Sequence, residues 1–270
     1  MLRQRILTAI VLIGLFIPAL FMLPPEAWAF GAVCVIYGCA WEWAGLSGLQ
    51  GLRRIAYAVT IALIAGLVSF SNLIEYRRLA YLISILFWLT AAPWLLWRRP
   101  RLTGSMPGMV MGVVVLVPVQ FALVELRGVM PSLLLAIMTI AWVSDSAAYF
   151  TGRTFGRRKL APDVSPGKTW EGAYGAIAAV LGYAIICAVY IKPIVTPRWL
   201  ETGAPAFISI VLLWLILASA GIIGDLLESF LKRNAGVKDS GALLPGHGGI
   251  LDRVDALLPI LPIAALFYLG

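Results

Sequence analysis

The stretch from Ser229 to Asp255 is the densest cluster of charge in a chain that is otherwise mostly apolar. Its ionisable residues are Lys232, Arg233, Lys238, Asp239, His247, Asp252, Arg253 and Asp255. Apolar runs on both sides would bring these cations and carboxylates, with a Pro-Gly-His-Gly-Gly turn, to one membrane surface. Such a combination suits the binding of phosphate groups together with a metal ion at a lipid interface.

Carboxylates at helical spacing provide candidate metal ligands. Asp252 and Asp255 stand at positions i and i+3, as do Asp225 and Glu228, so each pair shares one helix face. Brought together, Asp225, Asp252 and Asp255 would form an all-oxygen site of the kind that suits Mg²⁺. Without a metal these acids would repel one another and raise one another's pKa values. We expect Glu228 to form a surface pair with Lys232, one helical turn later.

The segment Ser165–Gly172 (Ser-Pro-Gly-Lys-Thr-Trp-Glu-Gly) directly precedes an apolar run. It is not a P-loop, because that motif needs glycine at the position of Pro162 and a strand before it. Ser165, Lys168 and Thr169 would still offer hydroxyls, an ammonium and free backbone N–H groups to an anion at a helix start. The alternative is an ordinary helix-entry loop with Thr169 as the cap.

Three further residues allow two interpretations each. Asp145 lies at membrane depth, where a carboxylate is costly and faces either a cavity or a partner. It is therefore either part of a polar active-site wall or a member of a structural ion pair. Glu42 either faces the same cavity or lies at the membrane interface. His247 is either a base or a turn residue that hydrogen-bonds.

The composition is that of an integral membrane protein. Of the 270 residues, 61% are hydrophobic and 13% are charged, against roughly 45–50% and about 25% in soluble domains. Apolar runs of about 20 residues, the length of a membrane-spanning helix, cover residues 6–24, 28–46, 54–72, 79–97, 107–125, 130–151, 171–191, 205–230 and 250–269. We predict an all-α, polytopic membrane protein of about nine spans. It would form one domain over residues 1–270, with a scaffold in 1–125 and catalytic helices and loops in 130–270.

The distribution of basic residues predicts the orientation. With a cytoplasmic N-terminus and an external C-terminus, 16 lysines and arginines lie in cytoplasmic segments and 5 outside, as the positive-inside rule requires. This bias accounts for most of the net charge of +8, so no nucleic-acid partner is expected. Most acids near the span ends gather on the same side, which indicates a cytoplasmic active site.

The charged stretch resembles the signature of the phosphatidate cytidylyltransferase family, also called CDP-diacylglycerol synthases. The matching positions are Ser229, Lys232-Arg233, Lys238-Asp239, Gly241, His247-Gly248-Gly249 and Asp252-Arg253-Val254-Asp255, all at the family's spacing. The segments Asp145–Tyr149 and Ser165–Gly172 are also similar to the family. The resemblance implies the reaction CTP + phosphatidate → CDP-diacylglycerol + pyrophosphate, with Mg²⁺, a second metal ion and a homodimer. A compact nine-span chain suits a bacterial inner membrane.

With this reaction in view, each candidate residue has an expected role. The expected metal ligands are Asp225, Asp252 and Asp255. The expected catalytic residues are Asp225, Asp252, Lys168 and Asp145. The expected contacts to CTP or to the lipid headgroup are Ser165, Lys168, Thr169, Lys232, Arg233, Lys238, Asp239, His247 and Arg253.

Two other functions fit parts of the pattern. A CTP-dependent lipid or polyprenol kinase would transfer the γ-phosphate of CTP instead of the cytidylyl group. A secondary transporter would use the intramembrane acids as ion relays, but the charges gather at one surface and no paired half-repeats occur. A purely structural scaffold would leave the carboxylates without a role.

Overall fold

The computed structural model describes residues 2–69, 74–196, 206–244, 246 and 248–269, which form eleven helices and one short hairpin. The helices are α1 (Leu2–Met22), α2 (Pro25–Leu46), α3 (Gly51–Ser69), α4 (Ile74–Arg98), α5 (Met106–Val129), α6 (Pro131–Phe155), α7 (Trp170–Tyr190), α8 (Lys192–Val195), α9 (Ala206–Asn234), α10 (Leu251–Val254) and α11 (Leu257–Leu269). A π-helical turn at Phe87–Ala91 widens α4 just before Pro93, which has no N–H to donate to the preceding turn.

The predicted polytopic α-helical membrane architecture is confirmed. Seven helices in the described parts of the chain, α2 to α7 and α9, are long and apolar enough to cross a membrane. The first and last predicted runs correspond to shorter apolar helices, Ile10–Met22 and Leu257–Leu269. All nine predicted runs overlap a helix, and within the described residues seven of these helices are full-length candidate spans. The count of nine stays a prediction.

The last apolar run is divided in two at Asp255, between α10 and α11. Pro259 stands where an N–H would be needed to bond the carbonyl of Asp255, so a regular helix cannot continue. That carbonyl instead accepts a 3.3 Å bond from the N–H of Leu258. A Cβ at Gly224 would lie 2.5 Å from the same carbonyl oxygen. Glycine therefore lets α9 approach the break in the last helix closely.

Helix α5 lies at the centre of the bundle and packs against α2, α3, α4, α6 and α11. Its inward side chains, including Val115, Leu116 and Phe121, are almost fully buried. Helices α6, α7 and α9 pack on one another beside this centre, and α11 joins them to α5. The helices that carry the charged residues are thus held by the same core as the N-terminal helices.

A small antiparallel hairpin is the part of the fold that the sequence analysis missed. Strand β1 (Lys159–Ala161) pairs with β2 (Ser165–Thr169), with Lys159 opposite Thr169 and Ala161 opposite Ser165. We expected Ser165–Thr169 to be a loop before a helix, and it is a strand instead. The all-α class still describes the fold, because this hairpin is its only sheet within the described residues. The two strands form the connection between α6 and α7 in the chain. The backbone N–H and C=O groups of this connection are not bonded within a helix, so they pair with each other.

The loops that we predict to be cytoplasmic meet at one end of the bundle. The Asn234 side chain, at the end of α9, donates a 2.8 Å hydrogen bond to the carbonyl of Pro100. The N–H of Gly104 donates to the carbonyl of Ser47 at 2.8 Å. These contacts join the loops that follow α2, α4 and α9 into one layer.

A separate polar cluster lies at the opposite end of the bundle. Arg77 contacts Glu125 at 2.7 Å, and the hydroxyl of Tyr81 donates to the other oxygen of Glu125 at 2.6 Å. Arg127 donates to the carbonyl of Leu20 at 2.8 Å. The charged side chains at this end therefore mainly tie helix ends together.

Close packing between α2, α3 and α5 depends on Gly112. Trp43 donates to the carbonyl of Gly108 at 2.9 Å, and Tyr57 donates to the carbonyl of Met109 at 2.7 Å. A Cβ at Gly112 would lie 2.2 Å from the Tyr57 hydroxyl and 2.6 Å from Nε1 of Trp43. Both aromatic groups would have to move and lose their hydrogen bonds.

We predict that Gly112→Ala destabilises the protein by about 1–3 kcal/mol, the usual cost of overpacking. The matched control is Gly182→Ala in α7, where a Cβ would meet nothing within 4 Å and helix propensity favours alanine. Thermal unfolding in detergent measures both variants. An equal or higher midpoint for Gly112→Ala than for Gly182→Ala would contradict the packing argument.

Candidate functional site

Three carboxylates from two helical segments converge beside the break in the last helix. Asp225 and Glu228 project from α9, and Asp255 lies between α10 and α11. One ligand atom of each lies within 4.8 Å of the other two. The sequence predicted Asp225 and Asp255 as members of this group but placed Asp252, not Glu228, with them.

Lys232 lies between Glu228 and a further acid, Asp252. Its ammonium nitrogen is 2.5 Å from Oε2 of Glu228 and 2.6 Å from Oδ1 of Asp252. The side chain of Glu228 is 1% exposed, so the expected surface pair is a buried one. No local pattern signals this burial, because the i, i+4 spacing of Glu228 and Lys232 is equally typical of an exposed pair.

Asp252 is held by four donors. Besides Lys232, it accepts hydrogen bonds from the N–H of Ser240 at 2.9 Å, the Ser240 hydroxyl at 2.9 Å and the N–H of Gly249 at 2.8 Å. Burial alone would raise the pKa of Asp252, but the hydrogen bonds from Lys232 and from the backbone N–H groups of Gly249 and Ser240 hold it well below its usual value. Asp252 stays ionised, and its role as a metal ligand stays a prediction.

Glu42 enters the site from α2, although it is about two hundred residues away along the chain. Its side chain is fully buried. It accepts hydrogen bonds from the N–H of Ile250 at 3.0 Å and the N–H of Leu251 at 2.8 Å. Its Oε2 also lies 3.0 Å from the Ser240 hydroxyl, whose single proton it shares with Asp252. Glu42 is therefore buried against the loop of the charged stretch.

A cavity of about 400 Å³ adjoins the carboxylates, between α6, α7, α9 and the hairpin. Its polar lining residues are Ser144, Asp145, Tyr149, Arg153, Ser165, Lys168, Thr169 and Asp225. Lys168 forms an ion pair with Asp225, which links the hairpin to the carboxylate group. Thr169 also caps α7, because its hydroxyl accepts from the N–H of Gly172 at 3.1 Å.

The hairpin is fixed over this cavity at several points. Arg99 pairs with Asp163 in its turn, and the N–H of Arg157 donates to Glu171 at 3.0 Å. The guanidinium of Arg233 donates to the carbonyl of Val164 at 3.5 Å. These bonds tie the hairpin to α4, α7 and α9.

The remaining predicted substrate contacts lie around the same end. Arg233, Lys238, Asp239 and Arg253 are exposed. Arg253 and Lys168 both attract the carboxylate of Asp145. His247 falls outside the described residues. The structure thus groups Asp145, Ser165, Lys168 and Thr169 at the cavity, and Lys232 and Asp252 beneath the loop.

The donor set fits a hard divalent cation. Asp225, Glu228 and Asp255 offer carboxylate oxygens only, the ligand type that suits Mg²⁺. Within the described residues, neither oxygen of Glu228 accepts a well-aligned hydrogen bond, and Lys232 contacts it only as an ion. A buried carboxylate without such bonds is costly, and a bound cation would offset that cost.

Fold and site together define a class: polytopic α-helical membrane proteins with a carboxylate and lysine centre, suited to phosphate chemistry at one end of the bundle. The Cytidylyltransferase family model matches residues 3–269. The chain belongs to the cytidylyltransferase family, which confirms the resemblance found in its sequence.

Two relatives align with nearly the whole chain, and a third aligns with slightly less than half of it. A phosphatidate cytidylyltransferase of Pseudomonas aeruginosa is 38% identical, with 98% of this chain and 96% of the relative aligned. One of Haemophilus influenzae is 34% identical, with 99% of both chains aligned. One of Bacillus subtilis is 45% identical over 124 residues, which is 46% of this chain.

We predict that Lys232→Met destabilises the protein by about 3–5 kcal/mol in metal-free buffer, because it leaves two buried carboxylates without their cation. Lys238→Met is the control, since Lys238 is exposed in the following loop. Thermal unfolding in detergent with a chelator compares them. Equal midpoints would mean that the buried pair does not support the fold.

Proposed function

We propose that the protein transfers the cytidylyl group of CTP to phosphatidate, giving CDP-diacylglycerol and pyrophosphate. A phosphate oxygen of phosphatidate attacks the α-phosphorus of CTP, and the bond from that phosphorus to the bridging α–β oxygen breaks. Family membership and the names of the relatives support this reaction. The structural observation that carries it is the contact between Lys168 of the hairpin and Asp225 of the carboxylate group, at the wall of the cavity.

The chemistry requires charge neutralisation more than a base. The attacking phosphate is already ionised, so the main barrier is the approach of one anion to another. Ammonium and guanidinium groups lower that barrier when they are fixed where negative charge collects. Lys168 supplies such an ammonium group at the cavity. Ser165 and Thr169 on the same strand add hydroxyl groups beside it. Arg233, Lys238 and Arg253 add cations around it.

Asp225, Glu228 and Asp255 would hold Mg²⁺. Bound there, the ion would neutralise phosphate charge and align the attack. Asp252 is the candidate to contribute to a second ion, because it shares Lys232 with Glu228 but is not part of the three-carboxylate group. Without a bound ion, the acids and the lysines neutralise one another. These ion pairs keep the geometry of the site.

We further propose a cytoplasmic N-terminus, an external C-terminus and an active site that faces the cytoplasm in a bacterial inner membrane. The positive-inside bias supports this orientation, and so does the meeting of the predicted cytoplasmic loops in one layer. The resemblance to the family supports a homodimer. CTP would then enter from water and phosphatidate laterally from the bilayer.

Labelling can test the orientation. In sealed vesicles, Lys238→Cys should react with a membrane-impermeant thiol reagent only when the cytoplasmic face is outward, because Lys238 lies in an exposed loop at the site end. Arg78→Cys, exposed at the opposite end, should show the reverse pattern. Reaction of both variants from the same side would exclude the proposed topology.

Purified protein with phosphatidate, Mg²⁺ and CTP labelled at the α- and γ-phosphates tests the reaction. The α-label should enter the lipid, and the γ-label should leave as pyrophosphate. The γ-label in the lipid would instead indicate a CTP-dependent kinase. No labelled lipid from folded protein would exclude both, and uptake into vesicles would then test transport.

We predict that Lys168→Met lowers turnover by roughly 10²–10³-fold, the usual effect of removing a fixed donor to developing negative charge. Arg101→Met is the control, because Arg101 is an exposed cation at the same end of the bundle and lies outside the cavity lining. Steady-state turnover and circular dichroism check both variants. Full activity of folded Lys168→Met would remove Lys168 from the site.

A further inference from the structure

We propose that Glu42 is a positioning residue, which sets the geometry of Asp252 and Lys232 by holding the backbone of the loop before α10. The inference rests on the proposed function, because it assigns the loop to the active site. Glu42 lies on α2, far along the chain from the signature residues, and the reaction itself makes no use of its carboxylate.

The burial of Glu42 gives the first argument. A fully buried carboxylate is costly unless it is hydrogen-bonded. Among the described residues, its donors belong to the loop and the start of α10: Ser240, Ile250 and Leu251. Two of them are backbone N–H groups, which a helix start leaves without partners. The carboxylate of Glu42 and the N–H groups of the loop would therefore each lose their hydrogen-bond partners without the other.

The glycines of the loop give the second argument. A Cβ at Gly241 would lie 2.4 Å from Oε1 of Glu42, and a Cβ at Gly249 would lie 2.4 Å from Oε2. Contacts this short exclude any side chain at either position while Glu42 stays in place. The loop thus approaches α2 so closely because glycine occupies both positions.

Ser240 connects Glu42 to the acid of the site. Its hydroxyl lies 3.0 Å from Oε2 of Glu42 and 2.9 Å from Oδ2 of Asp252. Its N–H also donates to Asp252. Asp252 in turn contacts Lys232 at 2.6 Å. If Glu42 moves, Ser240 moves with it, and the position of the Asp252–Lys232 pair changes as a result.

The test compares Glu42→Gln, Ser240→Ala, the double variant and wild type. Glutamine keeps the shape of the side chain. Its NH₂ group, however, must face a donor from which the carboxylate accepts a hydrogen bond in the wild type. Each single change should lower turnover roughly 10–100-fold, as the loss of a supporting partner of site ligands does. The double variant should lose no more than the worse single variant, because both changes break one connection.

Glu125→Gln is the matched control. Glu125 is also a largely buried acid with two partners, Arg77 and Tyr81, but it lies at the opposite end of the bundle. It should keep wild-type turnover even if its thermal midpoint falls. If Glu125→Gln and Glu42→Gln lose turnover equally, Glu42 is merely structural and the proposal is wrong.

Hydrogen exchange provides a readout that does not depend on activity. In Glu42→Gln, faster exchange should reach beyond the amides of Ile250 and Leu251 to those of Ser240 and Gly249, which bind Asp252. Faster exchange confined to Ile250 and Leu251, or unchanged turnover, would overturn the proposal. If wild type forms no CDP-diacylglycerol, the proposed function fails. The spread of faster exchange to Ser240 and Gly249 then still decides whether Glu42 positions the loop.

Discussion

The mutual neutralisation of buried and half-buried acids and lysines is the interaction on which the rest of the site depends. Lys232 lies between Glu228 and Asp252, and Lys168 pairs with Asp225. Charges taken out of water are costly unless they are paired and hydrogen-bonded. The segments that carry these residues must therefore stay together: α9, the start of the last helix and the hairpin between α6 and α7. The ion pairs fix the site before any substrate arrives.

The remaining fold supplies the rigid parts that make such pairing possible. The central helix α5 joins the N-terminal helices to α11, while Gly224 lets α9 touch the break next to Asp255. Pro259 causes that break by removing one N–H from the helix. As a result, the Asp255 carboxylate lies at a break in the last helix, and its carbonyl accepts a 3.3 Å bond from the N–H of Leu258 in place of the bond that a continuous helix would make.

Much of this arrangement could be predicted from sequence, and the exceptions have physical causes. Periodicity and apolar length gave the helices, and the i, i+3 spacing placed Asp225 with Glu228. The hairpin was missed because a five-residue strand with Pro-Gly has no alternation to detect. Glu42 was left open because its partners lie across the fold, and no local pattern reports a contact between α2 and a loop some two hundred residues later.

The same pairing that stabilises the site also links the binding of its two proposed ligands. Lys168 cannot give its full charge to Asp225 and to a phosphate at once, and Asp225 cannot serve both Lys168 and a metal ion equally. A cation at the carboxylates would release Lys168 towards the cavity, and a phosphate at Lys168 would expose the carboxylates to the cation. Each ligand removes the other's competitor, so metal and nucleotide should bind with positive cooperativity. A site balanced in this way is charge-compensated both empty and loaded, which suits a centre at the edge of a membrane.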